Sequence, residues 1–183
     1  VMYDKIYKDK LYYQYAKEIL RSSEFQRRKE FLHHQDSVYE HSIRVSLVAY
    51  RISRFLSKYI PISTEDVIVG ALLHDFYLKP WRENRGTWHG FTHGKIAANN
   101  ANNFFSKKMN DTIIDSIHWH MFPLTIHPPK YYEGWVITLA DKIVSFEVFT
   151  KPRELPKYIG IDNLSKYPKN IIIKAKKLLT SHV

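Results

Sequence analysis

Cysteine is absent from all 183 residues. That excludes disulfides and thiolate metal sites, so any metal would have to be held by histidine and carboxylate. Long apolar runs are missing too: no window approaches the roughly 20 residues of a membrane span. The opening stretch, 1-VMYDKIYKDK-10, has no apolar core behind its charges. The expectation is a soluble, unexported, cytoplasmic chain with no membrane partner. Strand-like alternation forms no clear run, and there is no internal repeat or low-complexity segment. The length suits one domain over 1–183, with enough chain to bury a continuous core.

Positive charge is plentiful, with a formal net charge of +10. An excess of this size suits an anionic partner such as a nucleotide or a nucleic acid. The lysines and arginines are scattered, however, and lack the interleaved stacking aromatics of a single-strand channel. A solvated basic surface, including the run 27-RRK-29, is therefore favoured over a nucleic-acid site.

Helical periodicity covers almost the whole chain and predicts an all-α fold. A first helix is expected over about 3–20 and a short basic one to about 32. A third is expected over 37–57, where Val38, His41, Val45, Val48, Ile52 and Phe55 share a face. After Pro61, 63-STED-66 reads as a helix start capped by Ser63, and the helix runs into 67-VIVGALLHDF-76. Residues 81–91 have loop composition. The next helix is expected over 92–108, capped by Thr92, with His93 in its first turn. Another begins near Asp111, carries His118 and His120 in its last turns, and stops before Pro123. A strongly apolar helix over 133–149 and a basic one over 168–180 complete the pattern.

Four side chains are out of place in this pattern. His41 lies on an apolar stripe, His74 and Asp75 end an apolar helix, and Asp141 stands between 139-LA-140 and 143-IV-144. An unpaired buried carboxylate shifts its pKa or destabilises the fold. Together the four supply three or four ligands for a divalent ion that prefers nitrogen and oxygen. Adjacent helix residues point about 100° apart. His74 and Asp75 could thus reach one ion from two directions, or Asp75 could bridge two.

These residues, in this order, resemble the HD-domain superfamily of metal-dependent phosphohydrolases, whose signature is a His, a later His-Asp pair and a distant Asp. Here they stand as 40-EHSIRV-45, 72-LLHDF-76 and 140-ADKIVS-145. The stretches 85-RGTWHGFTHGKIAANNA-101 and 120-HMFPLTIHPP-129 look like those of small bacterial HD proteins. The resemblance spans roughly 34–147 and implies a single all-helical bundle with the metal site between core helices.

It further implies that one ion takes His41, His74, Asp75 and Asp141. In members with a second ion, that ion would take His93, His120 and a bridging oxygen of Asp75, with His118 the rival to His120. The cofactor implied is a divalent transition metal such as iron or manganese, in one or two ions. The reaction implied is hydrolysis of a phosphate ester of a nucleotide or other small phosphorylated metabolite, with metal-bound hydroxide as nucleophile. Asp75 or a neighbouring histidine would handle the proton, and Arg44, Lys79 and Arg82 are candidates to hold the anion. His34, His89, His118 and Lys142 are candidates for contacts around the ligands or to substrate. Cyclic-dinucleotide-cleaving members carry a lysine three residues after the aspartate, where this chain has Leu78, and a Gly-Tyr-Pro signature that it lacks. Two other readings use the same residues. One is a mixed-valence diiron oxygenase, and the other is a regulatory module that binds without turnover.

Overall fold

The computed structural model describes residues 9–33, 36–78 and 89–150, with side chains described over 9–31, 37–78 and 92–146. Helix α1 (Lys10–Arg21) starts where the Asp9 side chain accepts the Tyr12 amide at 3.1 Å. Its Tyr12, Ala16, Ile19 and Leu20 recur at three- and four-residue steps and are buried. Ser22 ends α1 and caps the short α2 (Ser23–Gln26), which passes into a 3₁₀ turn, Arg27–Glu30. A two-residue antiparallel ladder, β1 (Leu32–His33) with β2 (Asp36–Ser37), precedes the long α3 (Val38–Leu56). Ser37 and Glu40 form a reciprocal capping box that fixes where α3 begins.

Helix α4 (Thr64–Leu73) is the centre of the fold. Ser63 caps it by accepting the Asp66 amide, and every residue from Val67 to Leu73 is buried. It packs against α1 and α3, and against α6 (Asp111–Trp119) and α7 (Tyr132–Thr150). The Ser63 amide donates to the buried Glu133 carboxylate at 2.7 Å, tying the start of α7 to that of α4. Helix α5 (His89–Phe104) lies on α6. One apolar cluster joins Tyr12, Phe25, Ile43, Leu72, Phe76 and Ile117. A second joins Val45 and Ala49 of α3, Val67 and Ala71 of α4, and Val136, Ala140 and Val144 of α7. Burying these faces is the main driving force for the arrangement.

The fold is all-α, as the periodicity predicts, apart from the two-residue ladder, which is too short to leave an alternating pattern. Helix α5 begins at His89, so Thr92 lies inside the helix and His93 falls in its second turn. The glycines at 86 and 90 mask this start, because they give 81–91 the composition of a loop. Arg28 departs from the expected solvated run: it is 1% exposed, while Arg27 and Lys29 on either side are exposed. The expected helix over 168–180 lies outside the described residues. Among the described residues, no helix is long and apolar enough to cross a membrane.

Candidate metal centre

Five elements bring six polar side chains to one buried point. The apolar stripe of α3 turns His41 inward. His74 caps the C-terminal end of α4, with Asp75 following at the first non-helical step. The second turn of α5 supplies His93, and His120 caps the C-terminal end of α6. Asp141 comes from the middle of α7. None of the six is more than 9% exposed.

Asp75 stands at the middle. Its Oδ2 lies 3.5 Å from His74 Nε2 and 3.9 Å from His41 Nε2. Its Oδ1 lies 3.8 Å from both His93 Nε2 and His120 Nε2. On the first side, Asp141 Oδ1 is 3.1 Å from His41 Nε2 and 3.7 Å from His74 Nε2, and it also accepts from the Ser145 hydroxyl at 3.3 Å. On the second side, His93 Nε2 and His120 Nε2 are 3.1 Å apart. Two ring nitrogens at that distance require a proton or a cation between them.

Two of the rings are held by the main chain. His74 Nδ1–H donates to the Ala71 carbonyl at 2.8 Å, and His120 Nδ1–H donates to the Ile117 carbonyl at 2.7 Å. In the neutral ring each bond fixes the tautomer that leaves the Nε2 lone pair facing inward, as in ligands with an oriented outer partner. His74 Nε2 is buried and makes no hydrogen bond. An orphaned ring nitrogen is costly unless something else engages it. The nitrogens of His41 and His74 with an Asp75 oxygen form one group whose ligand atoms lie within 4.8 Å of one another, and Asp75, His93 and His120 form another. Imidazole and carboxylate in this number fit a divalent transition ion.

The charges around the point pull the rings apart in character. Burial works against a charged His74, but the carboxylates of Asp75 and Asp141 outweigh it and raise its pKa to about 9. Burial, together with the neighbouring His74 and His93, lowers His120 to about 3. Burial would raise Asp141, yet the hydrogen bond with His41 and the charge of the nearby His74 hold it well below the usual carboxylate range. The Tyr77 phenol, buried and beside Asp75, is pushed well above its ordinary value.

The other residues singled out in the sequence fall into place differently. His118 is half-buried and stacks flat on Trp119 at 4.0 Å, whereas it is His120 whose Nε2 lies beside Asp75 Oδ1. Arg44 is buried on α3 and Lys142 is exposed on α7. His34, Lys79 and Arg82 lie outside the described residues. His89 opens α5, with its side chain outside them. Sequence reasoning missed the residues that brace the segment after His74. Tyr77 donates its hydroxyl to Asp75 Oδ1 at 3.2 Å. Asn100 of α5 donates to the Phe76 carbonyl at 3.0 Å. Arg28 donates to the Tyr77 carbonyl at 2.6 Å and lies over the Phe76 ring. Nothing in 27-RRK-29 marks its middle member as the buried one.

Glycine has a specific use on α5. A Cβ at Gly94 would overlap the His118 carbonyl oxygen and stand 3.0 Å from that of Ile117, so only glycine lets α5 lie this close to α6. The close approach brings His93 to His120.

No curated protein matches the chain. The model of the HD domain, by contrast, matches residues 38–145, which begins with the first residue of α3 and takes in all six converging side chains. A match over more than half of the chain, laid on this histidine and aspartate geometry, shows that the chain belongs to the HD domain family.

Proposed function

We propose that the chain is a metal-dependent phosphohydrolase with two divalent metal ions, acting on a phosphate ester of a nucleotide or another small phosphorylated metabolite. The observation that carries the reading is the division of Asp75, one oxygen toward His41 and His74 and the other toward His93 and His120. His41, His74, Asp75 and Asp141 would hold the first ion, and Asp75, His93 and His120 the second. Two ions held by these residues would supply Lewis acidity toward a phosphoryl oxygen and an activated water at neutral pH.

The protein's own share is positional and electrostatic. The Ala71 and Ile117 carbonyls aim the rings of His74 and His120, while the apolar surround keeps bulk water from the ligands. Asp75 or a neighbouring histidine would take up the proton of the water. Lys79 and Arg82, directly after this segment in sequence, and Arg44 on α3 are proposed to hold the anionic substrate.

Manganese- and iron-loaded protein, assayed for phosphate release across nucleotides and sugar phosphates, tests the reading. Asp75→Ala should lose most of the bound metal and the turnover with it. Full metal retention in Asp75→Ala would sink the assignment. Oxygen consumption by the iron-loaded protein without phosphate release would replace the reaction with an oxygenase one.

A further inference from the structure

Asp75 has to keep its two oxygens on opposite duties, yet the terminal torsion of an aspartate is broad and roughly two-fold. Rotation about it would take Oδ1 from His93 and His120, the side to which Asp75 brings the carboxylate, whereas the His41 and His74 side keeps Asp141 Oδ1 beside it. The Tyr77 hydroxyl donates to Oδ1 at 3.2 Å, the oxygen on the His93 and His120 side. A carboxylate oxygen has two lone pairs, so it can accept this hydrogen bond and still face a cation.

Tyr77 is itself held firmly. It is 6% exposed, and its ring meets that of His93 edge-on at 6.0 Å. Arg28 holds its carbonyl, and Asn100 holds the carbonyl one residue earlier. Residues 76 and 77 lie beyond the last turn of α4, so these carbonyls have no helical partners. The two side chains come from different elements, the 3₁₀ turn and α5, and fix the backbone that carries the phenol.

We infer that Tyr77 is a positioning residue for the second metal site: its phenol holds Asp75 Oδ1 toward His93 and His120, so that one carboxylate serves both sides. The inference rests on the two-ion reading above. Tyr77→Phe removes the hydroxyl and keeps the ring against His93.

Metal-free wild type and Tyr77→Phe are titrated with Mn²⁺, with free and exchange-coupled manganese followed by electron paramagnetic resonance and melting of the metal-free proteins measured in parallel. The expected result is two equivalents in wild type. In the variant, the second equivalent should weaken by about 10- to 100-fold, with the first changed by less than about two-fold. A purely structural tyrosine would lower melting and weaken both equivalents alike. That outcome, or two unchanged affinities, overturns the role of Tyr77 and leaves the two-ion reading standing. A wild type that takes up one equivalent only overturns both.

Discussion

Replacing Gly94 with alanine perturbs the second side of the centre without touching a ligand. In a helix interior, alanine is favoured over glycine by about 1 kcal/mol, so a solvent-facing glycine would gain from the change. At Gly94 the added carbon meets main-chain oxygens of α6, which cannot swing aside as a side chain would. Ordinary carbon–oxygen contact needs about 3.3 Å or more, so α5 must withdraw from α6 by on the order of 1 Å. Overpacking that moves backbone costs about 3 kcal/mol at the upper end of its usual range. Against the propensity gain, the net loss is about 2 kcal/mol, or roughly 4–8 °C in melting temperature for a chain of this size. The same withdrawal carries His93 from its place 3.1 Å from His120 and 3.8 Å from Asp75. Metal sites tolerate only about 0.2 Å in ligand distance. Gly94→Ala should therefore lose one metal equivalent as well as stability, whereas Asn99→Ala, at an exposed position of α5, should do neither. Calorimetric melts beside elemental analysis decide the matter. A Gly94→Ala protein that melts higher and keeps both equivalents would refute the close approach of the two helices.

Two further outcomes follow from the charges. With His74 raised to about 9 and His120 lowered to about 3, the metal-free protein near pH 7.5 carries a charged His74 and a neutral His120. Because a histidine ligand must be neutral, a first ion bound there would displace the His74 proton. Its affinity should rise about tenfold per pH unit from 7 and level off near 9. The His74 contribution to metal-free stability is fully present below its ordinary value and fades as pH rises through about 9. Proton release measured in weak buffer during metal titration checks this, and no release with the first equivalent would contradict it. Asp141→Asn should weaken the first ion by at least about tenfold and destabilise the metal-free protein at neutral pH. Because Asp141 is depressed in the folded state, that gap should close as pH falls through the carboxylate range. Melting curves from pH 3 to 7 on both proteins measure it, and a gap that widens toward acid would contradict the pairing with His41 and His74.

The helices that supply the six side chains were largely legible in the sequence, because buried imidazole and carboxylate break an apolar pattern and each break is local. His41 on its stripe and Asp141 between paired apolar residues needed only helical periodicity. The start of α5 was not legible, since Gly90 inside a helix looks the same in sequence as a glycine in a loop. Arg28 was hidden for another reason. Its burial depends on carbonyls near residue 77, some fifty positions away, and no local window holds both ends. Tyr77 stood in plain view beside Asp75, but its direction depends on how the chain leaves α4.

The spacing of the side chains also orders events during synthesis. His93 and His120 are 27 positions apart, whereas His41 and Asp141 are separated by 100. A chain emerging at about 5–20 residues per second presents the nearer pair, with Asp75 behind it, before Asp141 has left the ribosome. Until α7 arrives, the nascent histidines would meet a borderline divalent ion without Asp141, and the site's geometry could not yet discriminate among such ions. Full discrimination among ions would begin only when the hundred-residue loop closes, so any metal carried by a purified sample would reflect the ions present during translation as well as the preference of the finished site.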